Sequence, residues 1–287
     1  MKPLRDFLEL IKFEHTVFAL PFAYLGMLLA ADGFPEWQQF FWITLAMAAA
    51  RTVAMGFNRI ADRAFDARNP RTASRPLVTG AISVRTALIG TLLSCGLLAV
   101  AAWQLGALAF RLFPVALLFL VGYSYTKRFT WLSHFLLGFT DGLAPVGAWV
   151  AVRHSLFTVS DLPAWIMLAT VTLWIGGFDL IYACQDVEFD RRDHLQAIPA
   201  RFGIPFALRL STICHGLTLL LLAALGNLLG LSWPYWVGLA VVCGLLIWEH
   251  LLVHPDDLSH LDIAFFNINS YISVTLFVSV LAAIYLV

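Results

Sequence analysis

Charge is what this sequence has least of. Asp, Glu, Lys and Arg together make up 13% of its 287 residues, about half the share of an average soluble domain. With 60% of residues hydrophobic, no soluble fold of this size would need so little charge, so the chain reads as a polytopic membrane protein. A formal net charge of zero excludes a strongly basic nucleic-acid binder, and no nucleic-acid partner is expected. Cysteine is scarce as well. Cys95, Cys184, Cys214 and Cys243 lie scattered in apolar segments with no CxxC pair, which excludes a zinc ribbon or disulfide framework and leaves them as small core residues. There is no GxxxxGK[ST] loop to cradle a nucleotide. The N-terminus lacks a signal-peptide pattern: Asp6, Glu9 and Glu14 interrupt its basic lead, so the first apolar run is expected to be retained. His15, His134 and His215 stand alone in or near apolar runs and are expected to be structural. Glu249, His250 and His254 are expected at the membrane interface, and Gly176-Gly177 as a packing or kink site.

What is present is a series of long apolar runs. Residues 1–12 repeat Leu4, Phe7, Leu8 and Ile11 at helical spacing and read as an amphipathic lead-in lying on the membrane face. Nine spans are expected: 17–31, 40–57, 85–105, 112–125, 133–152, 163–184, 207–229, 235–253 and 268–287. The fold class is therefore an all-α bundle of nine transmembrane helices, with residues 1–287 forming one domain. Lys2, Arg5 and Lys12, the five arginines from Arg59 to Arg75, Lys127-Arg128, and Arg191, Arg192 and Arg201 all fall on one side. By the positive-inside rule that side, with the N-terminus, is cytoplasmic.

Two polar stretches interrupt the apolar pattern where helices leave the bilayer. After the second span come Asn58, Asp62 and Asp66, each four residues after the last, so they stack along one helix face. Arg59, Arg63, Arg68, Arg71 and Arg75 surround them. After the sixth span come Asp179, Tyr182, Asp186 and Asp190, with Asp179 seven residues before Asp186 and so expected on the same face. Glu188 falls about 200° round from Asp186 and is excluded. Asp62 and Asp186 are as far apart in sequence as Asp66 and Asp190, which points to two related half-bundles whose acidic ends meet. Arg51, seven before Asn58, shares its face; Arg51 and Asp179 lie deep in their spans, where an ionised group is costly and turns to the bundle interior.

Carboxylates that leave part of a coordination shell open suit Mg2+, which keeps waters and takes phosphate oxygens. A diphosphate is the natural guest, held by Mg2+ on one side and by Lys127, Arg128, Arg71 or Arg75 on the other, since guanidinium forks match phosphate oxygens. A diphosphate site open to lipid implies a lipid diphosphate. Its ionisation would leave an allylic cation, which needs a water-poor cavity with aromatic faces. Phe57, Phe65, Tyr123, Tyr125, Phe178 and Tyr182 are candidates. Paired half-bundles also occur in transporters, but there the charge sits at the midplane, not at one face.

The steps Asn58-x-x-x-Asp62-x-x-x-Asp66 and Asp186-x-x-x-Asp190 resemble the two Asp-rich motifs of the UbiA superfamily of intramembrane prenyltransferases. Arg71-Thr-Ala-Ser-Arg-Pro76, Tyr123-Ser-Tyr-Thr-Lys-Arg128 and Asp179-Leu-Ile-Tyr-Ala-Cys-Gln-Asp186 resemble its accompanying stretches, and the likeness covers almost the whole chain. It is similar above all to the 4-hydroxybenzoate polyprenyltransferase group. The resemblance implies a bacterial inner-membrane enzyme that moves a polyprenyl group from polyprenyl diphosphate to a small aromatic acceptor. Asn58, Asp62, Asp186 and Asp190 would hold Mg2+ and diphosphate, with Asp66 alongside; Lys127, Arg128, Arg71 and Arg75 would contact the diphosphate. Arg51, Asp141 and Asp179 would orient the acceptor. Phe13-Glu-His-Thr-Val-Phe-Ala-Leu-Pro21 and Gln185-Asp-Val-Glu-Phe-Asp190 resemble a branch whose acceptor is a dihydroxynaphthoate of menaquinone synthesis, and Glu14-His15 departs from the basic residue and Lys-Pro usual in the 4-hydroxybenzoate group.

Overall fold

Helices follow the apolar runs closely. The computed structural model describes residues 9–11, 16–261 and 263–286; Lys2, Arg5, Lys12, Glu14 and His15, and most of the expected lead-in, lie outside them. The long helices are α1 (Thr16–Ala31), α2 (Trp37–Asp66), α3 (Val84–Gln104), α4 (Ala107–Thr126), α5 (Ser133–Arg153), α6 (Leu162–Ala183), α7 (Ile204–Leu228), α8 (Trp233–Leu252) and α9 (Asn269–Tyr285). Among the described residues, eight apolar helical segments are long enough to cross a membrane, and the first helix is shorter. The protein is an all-α integral membrane protein.

Local chemistry sets the boundaries. Ser83 caps α3 by accepting from the Thr86 amide at 3.0 Å, satisfying one of the free N–H groups of a helix start. Gly106 adopts φ 115°, a conformation that needs no Cβ. It lets α4 begin at Ala107, five residues earlier than the apolar run alone indicates. α6 ends at Ala183 and passes through a tighter 3-10 turn, Cys184–Asp186, into a short helix, Val187–Arg192. A six-residue π-helical turn, Ile263–Ile268, leads into α9.

The helices pack in two sectors. The larger core runs through α1, α5, α6, α7, α8 and α9, with Trp149, Trp174, Leu222, Leu246 and Leu276 buried in it. The smaller one joins α2, α3 and α4 through Ala49, Val53, Leu98 and Leu120. Bilayer lipid is as apolar as a leucine side chain, so helix association here depends on close backbone approach at small residues. A Cβ on Gly26 of α1 would lie 2.3 Å from the Pro145 carbonyl of α5, and one on Gly138 of α5 would lie 2.3 Å from the Thr172 carbonyl of α6. Gly176 and Gly177 are packing sites, against Phe135 and His215. Outward faces carry exposed leucines such as Leu92, Leu93, Leu118 and Leu220, as a lipid-facing surface requires.

Between the two sectors lies a cavity of about 560 Å3, walled by α2, α3 and α4 on one side and α5 and α6 on the other. The polar ends of α2 and α6 stand at the same end of the bundle as the loops that follow them.

Candidate active site

The C-terminal ends of α2 and α6 are poor places for carboxylates. A helix C-terminus carries partial negative charge, so Asp62 and Asp66 in the last turns of α2 work against it. Bases drawn from two other segments, the turn after α4 and the loop after α2, offset that cost. Arg128, just past α4, donates through Nη2 to Asp62 Oδ1 at 3.1 Å. Asn58 Nδ2 donates to Asp62 Oδ2 at 2.9 Å. Arg75, in the loop after α2, meets Asp66 Oδ1 at 2.6 Å. Across from them, Arg71 reaches Asp186 as a two-pronged fork, Nε to Oδ1 at 3.1 Å and Nη2 to Oδ2 at 2.5 Å, and its Nη1 donates to the Tyr182 hydroxyl at 2.8 Å. Burial works against charge on Arg71, but its bonds to Asp186 and the nearby Tyr182 and Asp66 hold its pKa above the ordinary guanidinium value.

The two acidic ends are joined by one dipeptide. Arg128 grips Asp62 of α2, while its neighbour Lys127 places Nζ 2.9 Å from Asp190 Oδ1. The loop after α2 makes the second link, through Arg71 and through Asn69, whose Nδ2 donates to Asp186 Oδ1 at 3.0 Å. Arg192 and Arg68 add an outer tie: Arg192 donates to the Arg68 carbonyl, and Arg68 pairs with Asp193. The pairs Asp62–Arg128, Asp190–Lys127, Asp186–Arg71 and Asp66–Arg75, with Asn58 on Asp62, are thus linked through the Lys127-Arg128 dipeptide and the loop after α2.

Asp179 does not share the environment of Asp186. Residues in the 3-10 turn advance about 120° each rather than 100°, so the turn at Cys184–Asp186 swings Asp186 off the line that an unbroken helix would set. Asp179 instead lies deeper, on the cavity wall with Arg51, Tyr123 and Asp141. His134 is not isolated. It accepts from the Ile198 amide through Nε2 at 3.2 Å, so its Nδ1 carries the proton and donates to Asp179 Oδ2 at 2.6 Å. Arg51 stands some 16 Å below Asp62 along α2 at 1.5 Å per residue. Its Nε, buried on the cavity side, has no hydrogen-bond partner among the described residues.

The aromatic candidates divide by position. Tyr123 and Phe178 line the cavity, joined by Phe119 and Phe139. Tyr125 and Phe65 instead sandwich the Arg128 guanidinium at 4.7 and 5.1 Å, and Tyr182 lies 5.1 Å from that of Arg71. Phe57 packs edge-on to Tyr125. These rings hold the planes of the arginines. Asn69 escaped the sequence reading because an asparagine in a loop shows no period; only its place two residues before Arg71 hints at it. Glu188 is exposed. Glu249 was expected at the interface and is instead fully buried, because its face of α8 turns toward α7 and α9.

The fold is an all-α membrane bundle whose two carboxylate-bearing helix ends are laced by lysine and arginine above an apolar cavity. The profile of the UbiA prenyltransferase family matches residues 19–271, and the chain belongs to that family. It is a prenyltransferase. Among curated proteins it is 32% identical over 219 residues to the 4-hydroxybenzoate octaprenyltransferase of Neisseria gonorrhoeae, covering 76% of this chain and 72% of that protein. It is 31% identical to the protein of that name from Nitrosospira multiformis, over 89% of this chain and 86% of the other. Among solved structures, the apo UbiA homolog of Aeropyrum pernix K1 superposes with a TM-score of 0.86 at 32% identity, over 94% of this chain and 98% of that one. A UbiA homolog from Archaeoglobus fulgidus, solved with DMAPP and Mg2+, shares the fold with a TM-score of 0.66 at 19% identity, over 94% of this chain and 99% of that one.

Proposed function

We propose that this enzyme transfers a polyprenyl group from polyprenyl diphosphate to a 4-hydroxybenzoate-type acceptor in quinone biosynthesis, with Mg2+ as cofactor, at the cytoplasmic face of a bacterial inner membrane. The observation that carries the reading is the Lys127-Arg128 pair, which ties the Asp62 and Asp190 carboxylates to one point.

The residues present fit a hard divalent cation. All the candidate ligands are oxygens, or an amide that can supply one, and Asp190 is fully buried, its Oδ1 facing only the Lys127 ammonium at 2.9 Å and its Oδ2 without a hydrogen-bond partner among the described residues. A carboxylate held so, against a single ammonium, has open lone pairs for a metal. Asn58, Asp62, Asp186 and Asp190 would hold Mg2+, with Asp66 alongside. When bound, Mg2+ supplies positive charge to the departing diphosphate. The chain's own part is to receive that diphosphate: Arg71, Arg75, Lys127 and Arg128 exchange their carboxylate partners for phosphate oxygens. Because each base is already positioned by an aromatic face or an acid, little is lost in ordering it.

The cavity takes the prenyl tail, away from water. The C–O bond of the prenyl diphosphate breaks and its electron pair leaves with the diphosphate. The allylic cation that remains is stabilised by the ring faces of Tyr123 and Phe178. Arg51, on the cavity wall, binds the acceptor's carboxylate through its guanidinium, and Asp141 or Asp179 accepts its phenolic proton in a hydrogen bond, which enriches the ring carbon ortho to the hydroxyl. That carbon forms the new C–C bond, and its proton passes to a site carboxylate or a diphosphate oxygen. The names of the relatives from Neisseria and Nitrosospira support this acceptor.

The test is the purified full chain with Mg2+, a polyprenyl diphosphate and either 4-hydroxybenzoate or 1,4-dihydroxy-6-naphthoate, read by mass spectrometry. Prenylated hydroxybenzoate is expected. Product from the naphthoate alone would move the enzyme to menaquinone synthesis, and no covalent product with either, despite prenyl diphosphate binding, would count against the proposed reaction.

A further inference from the structure

A second cluster of metal-ligating side chains lies outside the prenyl-transfer site. His215 of α7 and Glu249 and His250 of α8 bring one donor atom each to within 4.8 Å of one another. His215 and Glu249 are completely enclosed by protein.

The proton positions follow from the surroundings. His215 Nε2 faces the Trp174 carbonyl at 3.2 Å; a carbonyl only accepts, so Nε2 carries the hydrogen and Nδ1 a lone pair. Thr212 spends its hydroxyl proton on the Leu208 carbonyl at 3.0 Å. With that proton so placed, His250 Nδ1, 3.3 Å from the same hydroxyl oxygen, donates to it in the tautomer that leaves Nε2 a lone pair. These two lone-pair nitrogens face each other at 2.9 Å. Glu249 Oε1 accepts from Asn269 Nδ2 at 3.0 Å. Its Oε2 has no hydrogen-bond partner among the described residues and lies 3.4 Å from His215 Nδ1. Three electron pairs therefore converge with no donor between them.

We infer that His215 Nδ1, His250 Nε2 and Glu249 Oε2 form a binding site for a transition-metal dication of the Zn2+ class, distinct from the Mg2+-type oxygen site. Every outer partner that such ligands need is in place: a carbonyl on one imidazole, a hydroxyl on the other, and an amide orienting the carboxylate. A proton on one ring would satisfy two of the three lone pairs; a dication satisfies all three. Two imidazoles and one carboxylate prefer a borderline transition metal over Mg2+. At about 2 Å bond lengths, neighbouring ligands of a tetrahedral ion lie about 3.3 Å apart. The 3.4 Å between Glu249 Oε2 and His215 Nδ1 already matches, and the two imidazole nitrogens, 2.9 Å apart, need to part by a few tenths of an ångström. The ion would pin α7 to α8 directly, and α6 and α9 through Trp174 and Asn269. Both of those residues also line the prenyl cavity, so the ion would brace its wall.

Full-length protein in detergent, stripped with chelator and equilibrated with Co2+, is the direct test. About one equivalent is expected, with the visible absorption of nitrogen- and oxygen-ligated Co2+. Binding should survive in the Asp62→Asn/Asp186→Asn double variant and be lost in Glu249→Gln and in His250→Gln. Wild-type protein should also melt several degrees higher with Zn2+ or Co2+ but not with Mg2+, a readout that needs no variant. Absence of bound Co2+ in the wild type, no transition-metal melting shift, or binding lost in the Asp variant and kept in the other two, would overturn the site.

Discussion

At the scale of single residues, Asp62 and Asp186 differ from ordinary helix-end acids in what grips them. Each is held by a guanidinium and an amide, Arg128 and Asn58 for one, Arg71 and Asn69 for the other. Truncating either leaves the bases without a counter-charge and removes a ligand for the cation. Asp62→Ala and Asp186→Ala are each expected to cut prenyl transfer by roughly 100-fold or more, with both proteins still inserted and monodisperse; near-normal turnover in both would remove the assignment. Arg51 sits apart from that network, on the cavity wall, with its buried Nε unpartnered among the described residues. Arg51→Ala is expected to raise KM for a carboxylated acceptor by about 10- to 100-fold, the worth of a hydrogen bond to a charged group, with KM for prenyl diphosphate unchanged. A matching rise in both KM values would place Arg51 on the diphosphate instead. The four-residue steps of the acids were legible because helical period alone puts them on one face. Asn69 and the His134–Asp179 pair were not: a loop amide has no period, and partners 45 residues apart meet only through the fold. His215 looked solitary for the same reason, since Glu249 and His250 come from another helix.

At the scale of the helices, close contacts set the geometry that the residues depend on. Asp141 and Asp179 reach the cavity from α5 and α6, and these two helices cross at Gly138, where an added Cβ meets the Thr172 carbonyl. Backbone cannot yield there as a flexible side-chain tip would. Gly138→Val is expected to destabilise the protein by about 1–3 kcal/mol, seen as a lower melting midpoint in detergent. An unchanged midpoint would mean that the crossing is looser than it looks. Most expected spans agreed with the helices to within a few residues; α2 instead runs nine residues past the expected end at residue 57, to Asp66, and two further differences arise where backbone geometry outweighed hydropathy. Gly106 starts α4 early, and the 3-10 turn after Ala183 breaks what reads as one continuous helix end. A hydropathy pattern reports burial in lipid, not the hand of a turn.

At the scale of the whole molecule, the bundle separates a charged end from an apolar interior, and the positive residues gather at that charged end. If this end faces the cytoplasm, green fluorescent protein fused after Arg192 should fluoresce in cells, and alkaline phosphatase fused after Val287 should be active. The reverse pattern would turn the enzyme over in the membrane. The all-α membrane class was readable from composition, because so low a charge content leaves no other solution. The cavity between the two sectors was not, since it arises from how α2 and α4 stand off from α5 and α6. The most direct check on the shared diphosphate grip is calorimetric binding of a non-ionisable prenyl thiolodiphosphate to the purified protein, with Mg2+ or with EDTA. Tight binding is expected only with Mg2+, and is expected to be lost in Asp62→Ala and in Asp186→Ala alike. Equal affinity in EDTA, or full affinity in both variants, would contradict a single site built from both helix ends.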